Sequence, residues 1–199
     1  MKLLIIGASG HGKVVADIAE KNGYDEIVFF DDNEEQASCG KWPVAGTIQK
    51  VIGTNDDLFI AIGNAAIREK LMKQFSERHY PVLIHPNAVV AEDVEIGAGS
   101  VIMAGAVVNP GTKIGRGTII NTCSSIDHDC TISDFVHISV GAHLSGTVTV
   151  GKQTCISVGV CIVNNVDICA DAVIGAGAVV IHSIEEAGTY VGLPARKLK

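Results

Sequence analysis

Hydrophobic positions follow two different periods along the chain. In the first part, short aliphatic runs alternate with segments in which apolar residues recur at helical spacing. KLLIIG, EIVFFDD and DLFIAIGN predict strands, whereas HGKVVADIAEKNG and AAIREKLMKQFSERH predict helices, the second with Asn64 as its N-cap. The apolar set of the first helix is Val14, Val15, Ile18 and Ala19. This alternation predicts a small α/β domain, a Rossmann-like βαβ arrangement with a parallel sheet, over residues 1–82.

In the second part, an aliphatic residue recurs at every sixth position without a failure. The series is Ile84, Val90, Ile96, Ile102, Val108, Ile114, Ile120, Ile126, Ile132, Ile138, Leu144, Val150, Ile156, Ile162, Ile168, Ile174 and Val180. The residue two positions earlier is usually small or β-branched, and residues two apart point to the same side of a strand. The period predicts a parallel β-helix over residues 83–199. Three hexapeptides make one coil, so residues eighteen apart stack about 4.8 Å from each other.

Composition limits the classes of partner. The 199 residues are 47% hydrophobic and 19% charged, with a net charge of −7 and no basic run, which disfavours nucleic acid or an anionic membrane surface. A small-molecule partner is favoured. The apolar run in MKLLIIGASGHG is too short for a signal peptide or a membrane span, so a cytoplasmic protein is expected. Six cysteines without a CxxC pair are expected to be reduced thiols.

Three of the seven histidines lie in the stretch IDHDCTISDFVHISVGAHLSG. The six-residue period places His128 at a corner of the coil, two residues after Ile126, and His137 and His143 pointing outward from adjacent faces. Within a single chain these three side chains do not converge on one atom. A three-histidine metal site therefore requires a second subunit, and no metal is expected. Solvated surface histidines remain the alternative, for His143 above all.

His128 has the surroundings that a general base needs. It is flanked by Asp127 and Asp129, and a neighbouring carboxylate favours the protonated imidazole and fixes its tautomer. Gly146 follows His128 by eighteen residues, so the spacing predicts that it lies at the same corner, one coil along. Its backbone N–H is a candidate oxyanion donor. The alternative is a corner glycine needed only for its backbone angles.

The first loop has the composition of a phosphate-binding turn. GASGHG places Gly7, Gly10 and Gly12 between a strand and a helix, where backbone N–H groups and a helix N-terminus can receive a phosphate. Asp31 and Asp32 end the second strand, a position from which a carboxylate commonly reaches a ribose hydroxyl. They are otherwise simply a turn after a strand. A UDP-sugar suits a domain of this size better than a complete dinucleotide.

Several short motifs together resemble one enzyme family. IGAGSV, IGRGTI, VGKQTC and IGAGAV resemble the repeats of the left-handed β-helix, or hexapeptide-repeat, acyltransferases, and the left hand of the coil is implied by this resemblance alone. GASGHG, FFDD, AIGN, HP, DHD and GLPARK match the PglD/NeuD-like sugar acetyltransferases. The resemblance implies a homotrimer with N-acetyltransferase activity. The donor would be acetyl-coenzyme A, and the acceptor a UDP-linked amino sugar of the UDP-4-amino-4,6-dideoxy-N-acetylglucosamine type, for bacterial surface glycan or glycoprotein synthesis.

The resemblance also implies roles for individual residues. His128 is the base, Asp129 supports it where the family usually has Glu, and Gly146 is the oxyanion donor. The expected coenzyme contacts are His137, Val158 and Ala176. The expected contacts of the UDP-sugar are Ser9, Gly10, His11, Asp31, Asp32 and Gly63. A sugar O-acetyltransferase, acting on a sialic acid or a polysaccharide precursor, and a non-catalytic nucleotide-sugar-binding scaffold remain the alternatives.

Overall fold

The chain folds into two compact units, seen in a computed structural model that describes residues 1–51 and 55–198. The first unit ends at His85 and the second begins at Pro86.

The first unit is a three-stranded parallel sheet with two helices, as the sequence predicts. Strand β1 is central and pairs with both β2 and β5. A short antiparallel hairpin and a 3-10 helix at Ile48–Val51 intervene between β2 and β5, and the sequence did not predict them. In chain order the elements are β1 (Lys2–Ile6), α1 (Gly10–Lys21), β2 (Glu26–Phe30), β3 (Ser38–Cys39), β4 (Trp42–Pro43), β5 (Asp57–Ile60), α2 (Ala65–Gln74) and β6 (Leu83–Ile84).

Both helices of this unit begin where the pattern predicts. The Asn64 side chain accepts a hydrogen bond of 3.0 Å from the Ile67 N–H, which confirms it as the N-cap of α2. In α1, Val15, Ile18 and Ala19 are buried. Val14 is 43% exposed, so its assignment to the apolar face was wrong. Each residue advances about 100° around a helix, and Val14 therefore falls beside the buried stripe and not within it.

The second unit is a three-sided parallel coil. We name its sides face A, face B and face C. Face A contains β7 (Val89–Val90), β10 (Val107–Val108), β13 (Ser125–Ile126), β16 (His143–Leu144), β19 (Cys161–Ile162) and β22 (Val179–Val180). Face B contains β8 (Glu95–Ile96), β11 (Lys113–Ile114), β14 (Thr131–Ile132), β17 (Thr149–Val150) and β20 (Asp167–Ile168). Face C contains β9 (Val101–Ile102), β12 (Ile119–Ile120), β15 (His137–Ile138), β18 (Cys155–Ile156), β21 (Ala172–Ile174), β23 (Gly188–Val191) and β24 (Arg196–Lys197).

The strand register confirms the predicted spacing of eighteen residues. Ile126 pairs with Leu144, and Ile138 pairs with Ile156, each directly above the other on its face. These aliphatic side chains fill the interior of the coil. Inward-facing hydroxyl side chains donate hydrogen bonds to backbone carbonyls at some corners. Thr112 Oγ1, for example, donates to the Asp127 carbonyl at 2.9 Å. A corner that receives such a bond is therefore fixed by the coil below it as well as by its own strand.

Candidate active site

His128 and Asp129 form a hydrogen-bonded pair at the corner between face A and face B. His128 Nδ1 lies 2.8 Å from Asp129 Oδ2. Because a carboxylate only accepts hydrogen bonds, Nδ1 carries the hydrogen and Nε2 keeps its lone pair. The hydrogen bond that Nδ1 donates to Asp129 raises the pKa of His128 above its usual value, and the charge of Asp127 raises it further. The imidazole side chain is 56% exposed, so Nε2 is accessible to a substrate proton.

Gly146 lies against the imidazole of His128. A Cβ built on Gly146 would stand 2.5 Å from Nε2 and 2.6 Å from Cε1, so no other residue fits beside the ring as it stands. The backbone of Gly146 has no left-handed φ, unlike many other corner glycines. The interpretation that it is needed for its backbone angles was therefore wrong, because it is needed for space. Among the described residues, no acceptor takes the Gly146 N–H.

The Asp129 carboxylate depends on a second glycine. Asp129 itself has φ of 57°, a left-handed conformation that Asp tolerates better than most residues. Gly111 lies eighteen residues earlier, and a Cβ there would clash with Asp129 Oδ1. Gly111 also has φ of 75°. The short side chain of Asp129 reaches the His128 ring. Gly111 on the coil below and Gly146 on the coil above leave room for the pair.

The other aspartate of the DHD motif bonds to the main chain. Asp127 Oδ1 accepts the His128 N–H at 2.9 Å and the Asn109 side-chain amide at 2.8 Å. These bonds lower the pKa of Asp127, the Asn109 bond most. Asn109 was not among the predicted site residues, although it precedes Asp127 by eighteen residues and the same spacing would have found it.

Two of the three predicted coenzyme residues lie at the opposite edge of face A from His128. His137 projects outward from face C and is half-buried, and its Nε2 is 3.1 Å from Asn121 Nδ2. Val158 and Ala176 are exposed and stack at the corner between face C and face A, where the Gly177 N–H donates to the Val158 carbonyl at 2.9 Å. In one chain these residues do not meet His128. Asn121 was missed because it lies on a diagonal and not directly above or below His137.

The predicted nucleotide residues share one edge of the first unit. Ser9 precedes α1, Asp31 follows β2 and Gly63 follows β5, all at the carboxyl ends of parallel strands. Asp31 holds the glycine-rich loop, because its Oδ2 accepts the Ala8 N–H at 2.7 Å. Asp32 Oδ1 accepts the Ile48 N–H at 3.1 Å. Both carboxylates therefore also have structural roles. Beside this edge lies a cleft of about 310 Å³, lined by Glu34, Gly46, Thr47 and Lys50.

His11 and Gly10 occupy different environments in the same loop. Gly10 begins α1, is exposed, and has open space where a side chain would be. The His11 Nε2 atom is buried, and no described residue bonds to it. Burial and the charge of Arg68 lower the pKa of His11 to about 4, so its imidazole is neutral at pH 7. Arg68 is itself buried and donates to the carbonyls of Ile62 and Gly63.

Comparison with known proteins decides the family. Residues 2–75 match the PglD N-terminal domain, and residues 81–110 match the bacterial transferase hexapeptide repeats. The acetyltransferase domain of PglB from Neisseria gonorrhoeae FA1090 is 41% identical, with a TM-score of 0.95 over 99% of both chains. The chain belongs to the PglD/NeuD-like family of left-handed β-helix sugar acetyltransferases.

The names of two further relatives of this chain state ligands or substrates. Perosamine N-acetyltransferase from Caulobacter crescentus, solved as a histidine variant with CoA and GDP-perosamine, is 32% identical. It superimposes with a TM-score of 0.94 over 100% of this chain and 97% of its own. UDP-N-acetylbacillosamine N-acetyltransferase from Bacillus subtilis strain 168 is 36% identical over 108 residues. That match spans half of this chain and half of the enzyme.

The cysteine next to the DHD motif lies inside the coil. Cys130 is fully buried beside His128, and burial raises the pKa of its thiol, which fits the predicted packing role. Its Sγ donates to the Ser145 carbonyl at 3.3 Å. In residues 1–51 and 55–198 there is no cluster of three or more metal-ligating side chains. Neither helix in that part of the chain has the length and apolarity that crossing a bilayer requires.

Proposed function

We propose that this protein transfers the acetyl group of acetyl-coenzyme A to the amine of a UDP-linked amino sugar. The acceptor is of the UDP-4-amino-4,6-dideoxy-N-acetylglucosamine type. The contact of His128 Nε2 with the Gly146 backbone carries this proposal, because it joins a base to a free N–H donor. The relatives support the ligand classes: the PglB domain was solved with acetyl-coenzyme A, and the Bacillus subtilis enzyme is named for a UDP-sugar.

The reaction follows from the atoms at this corner. His128 Nε2 takes a proton from the sugar amine as the nitrogen attacks the thioester carbonyl carbon. The Gly146 N–H donates to the oxygen that becomes negative. The carbon–sulfur bond then breaks, and the proton held by Nε2 passes to the leaving thiolate of coenzyme A. Asp129 keeps Nδ1 protonated and stabilises the imidazolium formed between these steps.

The separation of the two corners favours a homotrimer. His128 and Val158 lie at opposite edges of face A in one chain, so a partner's coenzyme residues would complete the site. The outward residues of face A, including Val89, are partly apolar, and Val89 is 64% exposed. We expect light scattering to give a mass near three times 20.8 kDa. A mass near one chain would contradict the shared site.

The first unit supplies the nucleotide-sugar contacts in this proposal. Ser9, Gly10 and His11 would bind the diphosphate, with Asp31, Asp32 and Gly63 alongside them at the strand ends. α1 has an uncapped N-terminus without acidic residues in its first turn, which suits an anion. Calorimetric titration with UDP and GDP tests this directly. Tighter binding of UDP is the expected result.

Release of free thiol from acetyl-coenzyme A tests the whole proposal. The acceptors are UDP-4-amino-4,6-dideoxy-N-acetylglucosamine, GDP-perosamine and a sialic acid, each with a no-acceptor control. Rapid release with the UDP-amino sugar alone is expected. Release with GDP-perosamine alone would keep the chemistry and contradict the choice of nucleotide. Release only with the sialic acid would instead make the protein an O-acetyltransferase, and silence throughout would contradict the proposed substrate.

A further inference from the structure

A line of contacts runs through three consecutive coils to the backbone of His128. On the lower coil, Asn109 Nδ2 donates to Asp127 Oδ1 at 2.8 Å. On the middle coil, the same oxygen accepts the His128 N–H at 2.9 Å. On the upper coil, the Thr147 N–H donates to the His128 carbonyl at 2.9 Å. Both backbone polar groups of His128 are therefore bonded, and one of the two bonds depends on a side-chain pair.

We propose that Asn109 and Asp127 are positioning residues for the general base. Asn109 holds the Asp127 carboxylate, which fixes the main chain of His128 and keeps a second negative charge beside its imidazole. This inference rests on the proposed function of His128. The two aspartates of the DHD motif then have separate roles, because Asp129 bonds to the His128 ring and Asp127 bonds to the His128 backbone.

The Asp127 carboxylate is held in place from two sides. Its oxygen receives two N–H donors, and its backbone carbonyl accepts from Thr112 Oγ1 at 2.9 Å. Thr112 Oγ1 in turn accepts the Cys130 N–H at 3.3 Å. Residues 127–130 are thus tied to the lower coil at both ends. With such ties, the main chain of the base is set before any substrate arrives.

The charges around His128 all have one sign. Its own corner supplies the carboxylates of Asp127 and Asp129, and the Cys130 thiol there is neutral because burial raises its pKa. The coils below and above supply neutral neighbours at this corner: Asn109, Thr112, Gly111, Gly146 and Thr147. Both carboxylates act to raise the pKa of His128, Asp129 the more strongly. Loss of the Asp127 charge should therefore leave a weaker base, even with the Asp129 bond intact.

The test uses two nearly isosteric variants and one matched control. Asp127→Asn removes the charge but keeps an oxygen for the His128 N–H. Asn109→Leu removes the donor that holds Asp127. The control is Asp134→Asn, because Asp134 Oδ1 accepts the Arg116 N–H from the coil below at 2.7 Å, at the corner between faces B and C. It loses the same charge and perturbs the same kind of bond. Thermal unfolding verifies that each variant is folded.

The first readout is the NMR titration of the His128 ring proton, assigned by its loss in His128→Gln. We expect the midpoint to move to lower pH in Asp127→Asn, to move less in Asn109→Leu, and to stay in Asp134→Asn. The second readout is kinetic: kcat should fall about tenfold in Asp127→Asn, part of the 10²–10⁴ that a placed base contributes, with the KM of both substrates nearly unchanged. The acid limb of the kcat profile should follow the NMR midpoint.

Each outcome supports or overturns the inference. A His128 midpoint that is the same in Asp127→Asn, Asp134→Asn and the unaltered protein would overturn it. Equal losses of kcat in Asp127→Asn and Asp134→Asn would overturn it too, because they would indicate a general structural effect. The titration needs no substrate. If the midpoints shift as expected while the unaltered protein acetylates no amino sugar, the proposed function fails and the arrangement around His128 stands.

Discussion

The imidazole of His128 and the backbone of Gly146 occupy adjoining coils in direct contact, with 2.5 Å between Nε2 and the place where a Cβ would be. One extra methyl group should therefore displace the base without unfolding the coil. We expect Gly146→Ala to lower kcat by about 10²-fold, the usual effect of disturbing an oxyanion donor, at a nearly unchanged unfolding temperature. The control is Asn164→Ala, which removes an exposed side chain one coil further along. Full activity in Gly146→Ala would exclude this contact from the mechanism.

Replacement of the base itself should separate chemistry from binding. We expect His128→Gln to lower kcat by roughly 10²–10⁴-fold, because general base catalysis is lost. Binding of coenzyme A should persist, since the proposed coenzyme residues lie elsewhere, His137 on face C and Val158 and Ala176 at the corner between faces C and A. His79→Gln is the matched control, an exposed histidine of the first unit that is also bonded to an aspartate, Asp57. Steady-state kinetics and calorimetry give both quantities, and a fully active His128→Gln protein would remove the base from the mechanism.

The pH dependence of kcat should report the Asp129 contact. The base must be neutral to accept a proton, so activity rises as the pH passes upward through the pKa of His128. Asp129 raises that pKa first by its hydrogen bond, and Asp127 adds to it by charge. In Asp129→Asn the bond loses its charge and the pKa falls, so the rising limb should move to lower pH and the plateau should drop. Asp129→Glu, which keeps the charge, should hold the limb where it is. An unmoved limb in Asp129→Asn would contradict the role.

Two glycines in the first turn of α1 should respond differently to alanine. A Cβ at Gly12 would clash with the Gly7 carbonyl and stand 2.9 Å from Phe29 Cε1. We expect Gly12→Ala to lower the free energy of unfolding of this unit by about 1–3 kcal/mol, as overpacking does. At Gly10 a Cβ meets nothing within 4 Å, so Gly10→Ala should fold normally. Urea unfolding of both variants decides the point, and equal stability would contradict the packing.

The sequence predicted most of the coil because the same demand is repeated in every turn. Each inward aliphatic residue, Ile126 and Ile138 among them, pairs with another aliphatic residue eighteen positions away. The period of the sequence therefore predicts the strand register directly. The corner position of His128 followed from the same count. The hairpin of β3 and β4 did not, because it occurs once and no repeat marks its two short strands.

Details of the site could not be predicted from residue spacing, because they depend on backbone angles, steric contacts and charges in the folded chain. A glycine at position 146 is equally compatible with a strained backbone and with a crowded neighbour, and only the observed φ and the ring contact distinguish them. The neutral state of His11 depends first on its burial and then on the charge of Arg68, and both arise only when the chain folds. Asn109 could have been found by counting back eighteen residues. That its amide would reach the carboxylate of Asp127 required side-chain geometry.

Because one coil stacks on the next, the proposed activity requires a fixed number of residues between His128 and Gly146. His128 and Gly146 meet only because one complete turn separates them, as the bond from the Thr147 N–H to the His128 carbonyl records. A single residue inserted between Cys130 and Ser145 would carry Gly146 past the ring. It would also exchange the inward and outward side chains of the strands between the insertion and Gly146. The proposed active-site geometry therefore depends on an exact spacing of eighteen residues as much as on the residues that occupy the two positions.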